Sequence, residues 1–524
     1  MQLCAISTGA WGARKQQAII TTKKETIMTT PTASVPEQHR LSVVEKIGYS
    51  LGDLAANLIF QTLVTFLAFF YTDVVGLPPA KAAGIMVVGG VFGACFTPVM
   101  GMIADRTKTR WGKFRPWLLW TAVPFGAVAL LAFSTPDFGP NGKIIYAFIT
   151  YMLLLVVYAA NNLPYSALSG VLTGSMSERN SLSSYRFVAV MFAQFVIQVL
   201  LLPLVLILGG GDKAIGFHNT MLLFSIVGTV FFLIAFFTTK ERVLPVVEAR
   251  SSIVQDVSDL MKNVPWLIML LVTILLFVTL ALKGGSYIYY FKNYVSAVDL
   301  ANFLQGIGFN AFIDGLNHVL ANVGLSEFAW PKDPATSGFS IFNGCGILMM
   351  IVGIGFSKGL ADKFGKRNVF ASALFVATLF VLAFYFFPAN NIALIFLAQI
   401  LHGFFYGITI PLLWAMIADV ADYSEWKNGR RATAIIFSAM ILGLKLGLTL
   451  GSSLVAGLLA LYKYDASLTT QSAETIHGIL MSVSVYASIP FFAAAGFMYF
   501  YKIDKPLESH IEFDLAARRL AAGH

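Results

Sequence analysis

The chain has 524 residues, a formal net charge of +9, 57% hydrophobic and only 12% charged side chains, and a mean hydropathy of +0.74. That balance excludes a soluble globular protein and predicts a polytopic membrane protein. The basic residues sit in short loops between apolar runs, which is the positive-inside pattern and not a nucleic-acid surface. Cys4, Cys95 and Cys345 are isolated thiols without metal-ligand spacing or a paired framework, so no metal site and no cofactor is expected.

Residues 1–41 are polar, rich in Thr and Lys, and lack the apolar core of a cleavable signal sequence; a disordered cytoplasmic tail is expected, with Met28 as the functional start. A bilayer core needs roughly 20 apolar helical residues. The first such segment runs from Val44 to Tyr71, and eleven more are expected near 80–103, 117–134, 144–170, 184–209, 218–238, 265–291, 337–356, 368–387, 391–418, 432–462 and 476–501. Residues 42–238 then form one six-helix half, 239–264 a charged cytoplasmic linker, 265–504 a second half, and 505–524 a cytoplasmic tail. Within the second half, 293–336 is an external insertion with Phe303, Ile307, Phe312, Leu316 and Leu320 at helical spacing, which predicts one or two short amphipathic helices at the outer interface.

Orientation follows from the Gly101–Pro116 turn, whose Arg106, Lys108, Arg110, Lys113 and Arg115 hold it on the cytoplasmic side. Ala104-Asp105-Arg106 with Gly112-Lys113 is echoed by Ala361-Asp362-Lys363 with Gly365-Lys366, so the halves are repeats. Both termini are expected in the cytoplasm. Paired halves suit alternating access around a midplane site, and polar residues inside the spans should mark it. Asp53, Asn57 and Gln61 recur every four residues on the first helix; Tyr158, Asn161, Asn162 and Tyr165 share a face of the fourth. Arg186, Gln194 and Gln198 lie on the fifth, Lys283, Ser286, Tyr287 and Tyr290 on the seventh, Gln399, His402, Tyr406 and Thr409 on the tenth, and Lys445 in the middle of the eleventh. Amides and hydroxyls also join membrane helices by hydrogen bonds, tyrosines anchor at interfaces, and a lone histidine is usually packed and bonded. Mid-membrane charges are different, because each costs several kcal/mol unless it meets water or a partner; Asp53, Lys283 and Lys445 are therefore functional candidates. Arg186 and Asp419 lie nearer the helix ends, where long side chains can snorkel.

Gly52-Asp53 with Asn57, Phe70-Tyr71-Thr72-Asp73-Val-Val-Gly76, Arg110-Trp111-Gly112-Lys113-Phe114-Arg115-Pro116-Trp117, and Ala418-Asp419-Val-Ala-Asp422-Tyr423-Ser-Glu425 with Arg431 together resemble the glycoside-pentoside-hexuronide:cation symporters. The resemblance covers about residues 43–505. It implies the major facilitator superfamily fold, an all-α membrane protein of twelve transmembrane helices in two halves, moving a sugar, glycoside or uronide across a bacterial inner membrane. It further implies a sugar site at Asn57, Tyr158, Asn162, Arg186 and Lys445. A cytoplasmic gate is expected at Asp105, Arg106, Arg110, Asp362, Lys363, Asp419 and Arg431, with Asp105 and Asp362 pairing with arginines or helix ends. The family's second helix commonly carries two acids one turn apart before a proline, which hold the coupling cation. Here Phe92-Gly93-Ala94-Cys95-Phe96-Thr97-Pro98 puts Gly93 and Thr97 at those places.

The expectation is therefore a monomeric secondary transporter in the lipid bilayer, coupled to protons through Asp53, Lys283 or Lys445 and independent of sodium. An uncoupled facilitator, a lipid flippase, a membrane enzyme and a nutrient sensor remain as alternatives. No His, Asp or Cys constellation with catalytic spacing favours an enzyme.

Overall fold

The computed structural model describes residues 40–173, 176–242, 261–322, 333–428 and 433–521. Most of the expected 1–41 tail, the middle of the 239–264 linker and Arg431 lie outside the described residues. Among the described residues, twelve helices are long and apolar enough to cross a membrane, as hydropathy predicts. The first half holds α1 (Val43–Phe69, extended by a π-helical turn Phe70–Val74), α2 (Pro79–Arg106), α3 (Arg115–Ala132), α4 (Pro140–Leu172), α5 (Met176–Phe195, continued through Val196–Leu200 and Leu201–Gly209) and α6 (Lys213–Thr238). The second holds α7 (Val264–Asn293), α8 (Pro334–Phe364), α9 (Lys366–Ala383), α10 (Ile392–Asn428), α11 (Thr433–Leu461) and α12 (Ala473–Val483 with Val485–Phe497).

The helix starts are written in the sequence. Ser42 accepts a hydrogen bond from the backbone N–H of Glu45 at 3.1 Å, and Asp212, Asn263, Asp333 and Ser472 cap α6, α7, α8 and α12 in the same way. Pro79, Pro116 and Pro140 occupy first turns, where a missing N–H costs nothing. Inside a bilayer, helices associate through close packing and not through the hydrophobic effect, so small residues mark their contacts. α8 against α10 is the clearest case: a Cβ on Gly353 would stand 2.0 Å from the Phe404 carbonyl oxygen, and one on Gly407 2.1 Å from that of Met350.

The halves meet along α2 with α11, α1 with α7, and the middle of α5 with α8. Between α7 and α8 stand two short helices, Ala297–Gly306 and Phe309–Asn322. The first is anchored by buried Leu300 and Leu304; the second exposes Phe312 and Val319. The segment read from sequence only as a C-terminal tail contains α13 (Lys505–Ala521), docked on the second half. Trp426 Nε1 donates to Asp514 at 2.8 Å, Arg518 donates to the Trp426 carbonyl at 3.0 Å, and Lys505 donates to the Asp362 carbonyl at 2.7 Å.

Candidate functional site

At the end of the bundle that carries the Gly101–Pro116 turn, one carboxylate organises the motif. Glu241, just after α6, accepts backbone N–H bonds from Lys113, Phe114 and Arg115 at 2.8–3.0 Å, closing the N-terminus of α3 with a negative charge. Gly112 permits this: its φ is +114°, and a Cβ there would lie 2.4 Å from the Glu241 carboxyl carbon. Arg115 donates to the Phe236 carbonyl at 2.8 Å and stacks on the Phe236 ring, which makes it a structural cation. Arg242 forms a two-pronged ion pair with Glu45 at 2.6 and 3.0 Å, tying α1 to the same corner. Lys46 of α1 pairs with Glu178 at the start of α5 at 2.9 Å; its hydrogen bond holds that carboxyl below the usual carboxylate range.

The expected gate residues divide. Arg106, Asp362 and Lys363 are exposed; Arg110 lies 4.6 Å over the Trp111 ring. Asp419 is engaged by Lys366 at 2.8 Å, and Lys366 also reaches Glu508 of α13 at 2.7 Å. The Asp362 carboxylate forms no ion pair among the described residues. The Asp105 side chain and Arg431 lie outside them.

Deeper in the first half, the polar residues read on separate helices come together. Asp53 is buried and receives the Arg186 Nε–H at 2.8 Å across α1 and α5. Asn57 donates to the Asp53 carbonyl at 2.8 Å and to its carboxylate at 3.4 Å. The Arg186 guanidinium faces Tyr49 and Tyr165, two rings stacked at 4.5 Å that exchange hydroxyl-to-carbonyl hydrogen bonds at 2.8 and 2.7 Å. Asn161 is structural, donating to Thr121 at 2.8 Å. Asn162, half-buried on the next face of α4, has no hydrogen bond to another described group.

One turn further along α1 and α4 lies a cavity between the halves, partly open to the surface. Phe60, Tyr158, Gly93, Thr97, Lys445 and Thr449 are among its walls, and no carboxylate is. Phe60 and Tyr158 stack at 5.1 Å, and the Lys445 ammonium stands 6.0 Å over the Tyr158 ring. Thr97 turns its hydroxyl back to the Gly93 carbonyl at 2.8 Å. Among the described residues Lys445 has no acidic partner.

Lys283 lies in the second half and is not among those cavity walls. It is 8% exposed, and its ammonium is bonded to Nε2 of His402. His402 Nδ1 donates to the Ala377 carbonyl at 3.0 Å, which leaves Nε2 as the acceptor.

The end opposite the basic turn is latched across the halves. Thr72 and Tyr289 share a hydrogen bond of 2.8 Å, Tyr464 donates to Asp73 at 2.8 Å, and Lys292 pairs with the same carboxylate. Burial first and the Asp73 carboxylate second raise the Tyr464 phenol above its ordinary value, so it remains a donor. By contrast, the ion pairs described at the basic end, Lys46 to Glu178, Arg242 to Glu45 and Lys366 to Asp419, each stay within one half. Sequence reasoning missed the latch. Thr72 and Asp73 lie in a motif it used, but Lys292 and Tyr464 are 219 and 391 positions from Asp73.

Comparison with known proteins agrees with this architecture. A family model described as MFS/sugar transport protein matches residues 48–321 and 333–505. The inner membrane symporter YicJ of Escherichia coli (strain K12) is 34% identical over 455 residues, 87% of this chain and 90% of that protein. The isoprimeverose transporter of Lactiplantibacillus pentosus is 29% identical over 480 residues, 91% of this chain and 92% of that protein. The crystal structure of the nucleoside transporter NupG superposes with a TM-score of 0.53 over 88% of this chain and 100% of that chain at 14% identity, a likeness of fold alone. The chain belongs to the MFS/sugar transport protein family, as its resemblance to the glycoside-pentoside-hexuronide:cation symporters implies, and is a transporter and not an enzyme.

Proposed function

We propose that the protein is a monomeric secondary symporter that carries a sugar, glycoside or uronide across a bacterial inner membrane by alternating access, coupled to protons and not to sodium. The observation that carries this reading is the cavity wall: an aromatic face from Phe60 and Tyr158, a cation at Lys445, and no carboxylate. Sugars are bound by such combinations of ring faces and hydroxyl-directed polar groups. A sodium ion stripped of water needs several oxygen ligands and usually a negative charge. Gly93 offers no side chain, and the Thr97 hydroxyl is already bonded to its own helix.

In this reading Tyr158 and Lys445 contact the sugar directly, with Asn57, Asn162 and Arg186 one turn deeper. The lone Lys445 charge suits an acidic sugar. The names of the relatives support symport, and the name of the Escherichia coli relative supports an inner-membrane location. With the basic turn in the cytoplasm, the latch at Asp73 closes the outer end, and both termini lie inside. Asp105, Arg106, Arg110, Asp362, Lys363, Asp419 and Arg431 then form the gate that closes the cytoplasmic end in the alternate state. Counterflow of labelled neutral disaccharides, pentosides and uronides in proteoliposomes tests the function. Saturable exchange of at least one class is expected, and absence of exchange across the panel would defeat it.

A further inference from the structure

Lys283 is a cation inside the second half whose protein partner is another nitrogen base. The described contacts of the pair come from four helices. Tyr287 is on its own helix, with the ring 5.8 Å from the ammonium; α10 contributes His402 and, stacked on that imidazole, Tyr406. α12 contributes the ring of Phe491, and α9 the Ala377 carbonyl that fixes the imidazole tautomer. Among the described residues no carboxylate pairs with Lys283, and it is not one of the residues that line the cavity.

We propose that Lys283 and His402 form a proton-binding dyad, the place where the co-transported proton is held. The chemistry balances without other partners. In the charged form the Lys283 ammonium donates to His402 Nε2. Loss of one proton to water leaves a neutral amine whose remaining N–H still donates to Nε2, so the charge changes from +1 to 0 while the hydrogen bond survives. A buried group that can change charge without stranding a donor is what a proton carrier requires. The dyad is also placed to communicate with the latch. α7 bears Lys283 and, less than three turns further on, Tyr289 and Lys292, which bond Thr72 and Asp73 of the other half.

This inference rests on the proton-coupled reading, and the test separates the two. Sugar accumulation driven by an inward proton gradient, and sugar exchange at equal concentrations without any gradient, are measured in proteoliposomes for the wild type, Lys283→Gln, Lys283→Arg and His402→Gln. The wild type should accumulate sugar. Lys283→Gln and the permanently charged Lys283→Arg should equilibrate it only, while exchange stays within about threefold of wild type in at least one of them. Where a lysine variant fails to insert, His402→Gln carries the comparison, with a proton-driven accumulation ratio expected to fall at least about fivefold. Full accumulation by an inserted lysine variant or by His402→Gln, with a proton-driven wild type, overturns the dyad and leaves the function intact. A wild type that ignores the proton gradient overturns both.

Discussion

Replacing Asp73 by asparagine should open the latched end of the transporter. The Asp73 carboxylate is 1% exposed and accepts hydrogen bonds from Tyr464 at 2.8 Å and from Lys292, whose side chain is 34% exposed. Asparagine keeps the shape, but it turns the Tyr464 bond into a neutral one of about half the strength and reduces the Lys292 ion pair to a bond between an ammonium and a neutral amide. A hydrogen bond to a charged group contributes about 1.5–3 kcal/mol, and the partial exposure of Lys292 reduces its share through solvent screening. The expected loss is about 1–2 kcal/mol, a shift of about 5- to 30-fold from the closed toward the open arrangement of that end. Spin labels at Ala80→Cys and Ser467→Cys, which flank one surface hollow beside the latch, report the separation by pulsed electron spin resonance. The background for them has Cys4, Cys95 and Cys345 replaced by serine. A longer-distance population should grow in Asp73→Asn, and Tyr289→Phe should produce a smaller shift of the same sign. An unchanged distance distribution in Asp73→Asn would refute the assignment of these residues as a latch.

Asn162→Ala should lower sugar affinity about 5- to 150-fold without blocking insertion, because an unpaired polar group in a binding site is worth about 1–3 kcal/mol; wild-type affinity by calorimetry would remove it from the site. Glu241→Ala should lower stability by about 1–2 kcal/mol, with Glu241→Gln between it and wild type, since the carboxylate caps the first turn of α3. A thermal midpoint unchanged by the alanine would contradict that role. The Glu178 carboxyl is held below its ordinary value by Lys46, so its stabilising effect is complete above the unfolded carboxylate pKa and is lost as pH falls through the lower folded value. The melting difference between wild type and Glu178→Gln should therefore be constant near neutrality and close in acid. A difference that persists below the carboxylate range would show that the bond acts through something other than charge.

The class and the twelve spans were legible because hydropathy is a local property: each apolar run of α1 to α12 announces itself without its neighbours. Helix caps were legible for the same reason, as Ser42 with Glu45 illustrates. The individual charges Asp53, Lys283 and Lys445 stood out because ionisable groups in spans are expensive. Their partners did not. Asp53 and Arg186 are 133 positions apart, and Lys283 and His402 are 119 apart, so the pairing depends on how helices cross. His402, read alone as a packed histidine, is indeed bonded to a backbone carbonyl, but its other nitrogen meets a lysine. The Glu241 cap was invisible because it joins a residue three positions beyond α6 to the start of α3 through backbone N–H groups that no side-chain pattern records.

The central claim is sugar transport that uses protons and not sodium, and ion gradients imposed on the purified protein in proteoliposomes test it most directly. With the proton gradient collapsed, an inward sodium gradient should give only equilibration of the sugar, and an inward proton gradient in sodium-free buffer should give accumulation above the outside concentration. Robust uphill uptake on the sodium gradient, lost when potassium replaces sodium, would contradict the account and require a cation site that Gly93 and Thr97 do not offer.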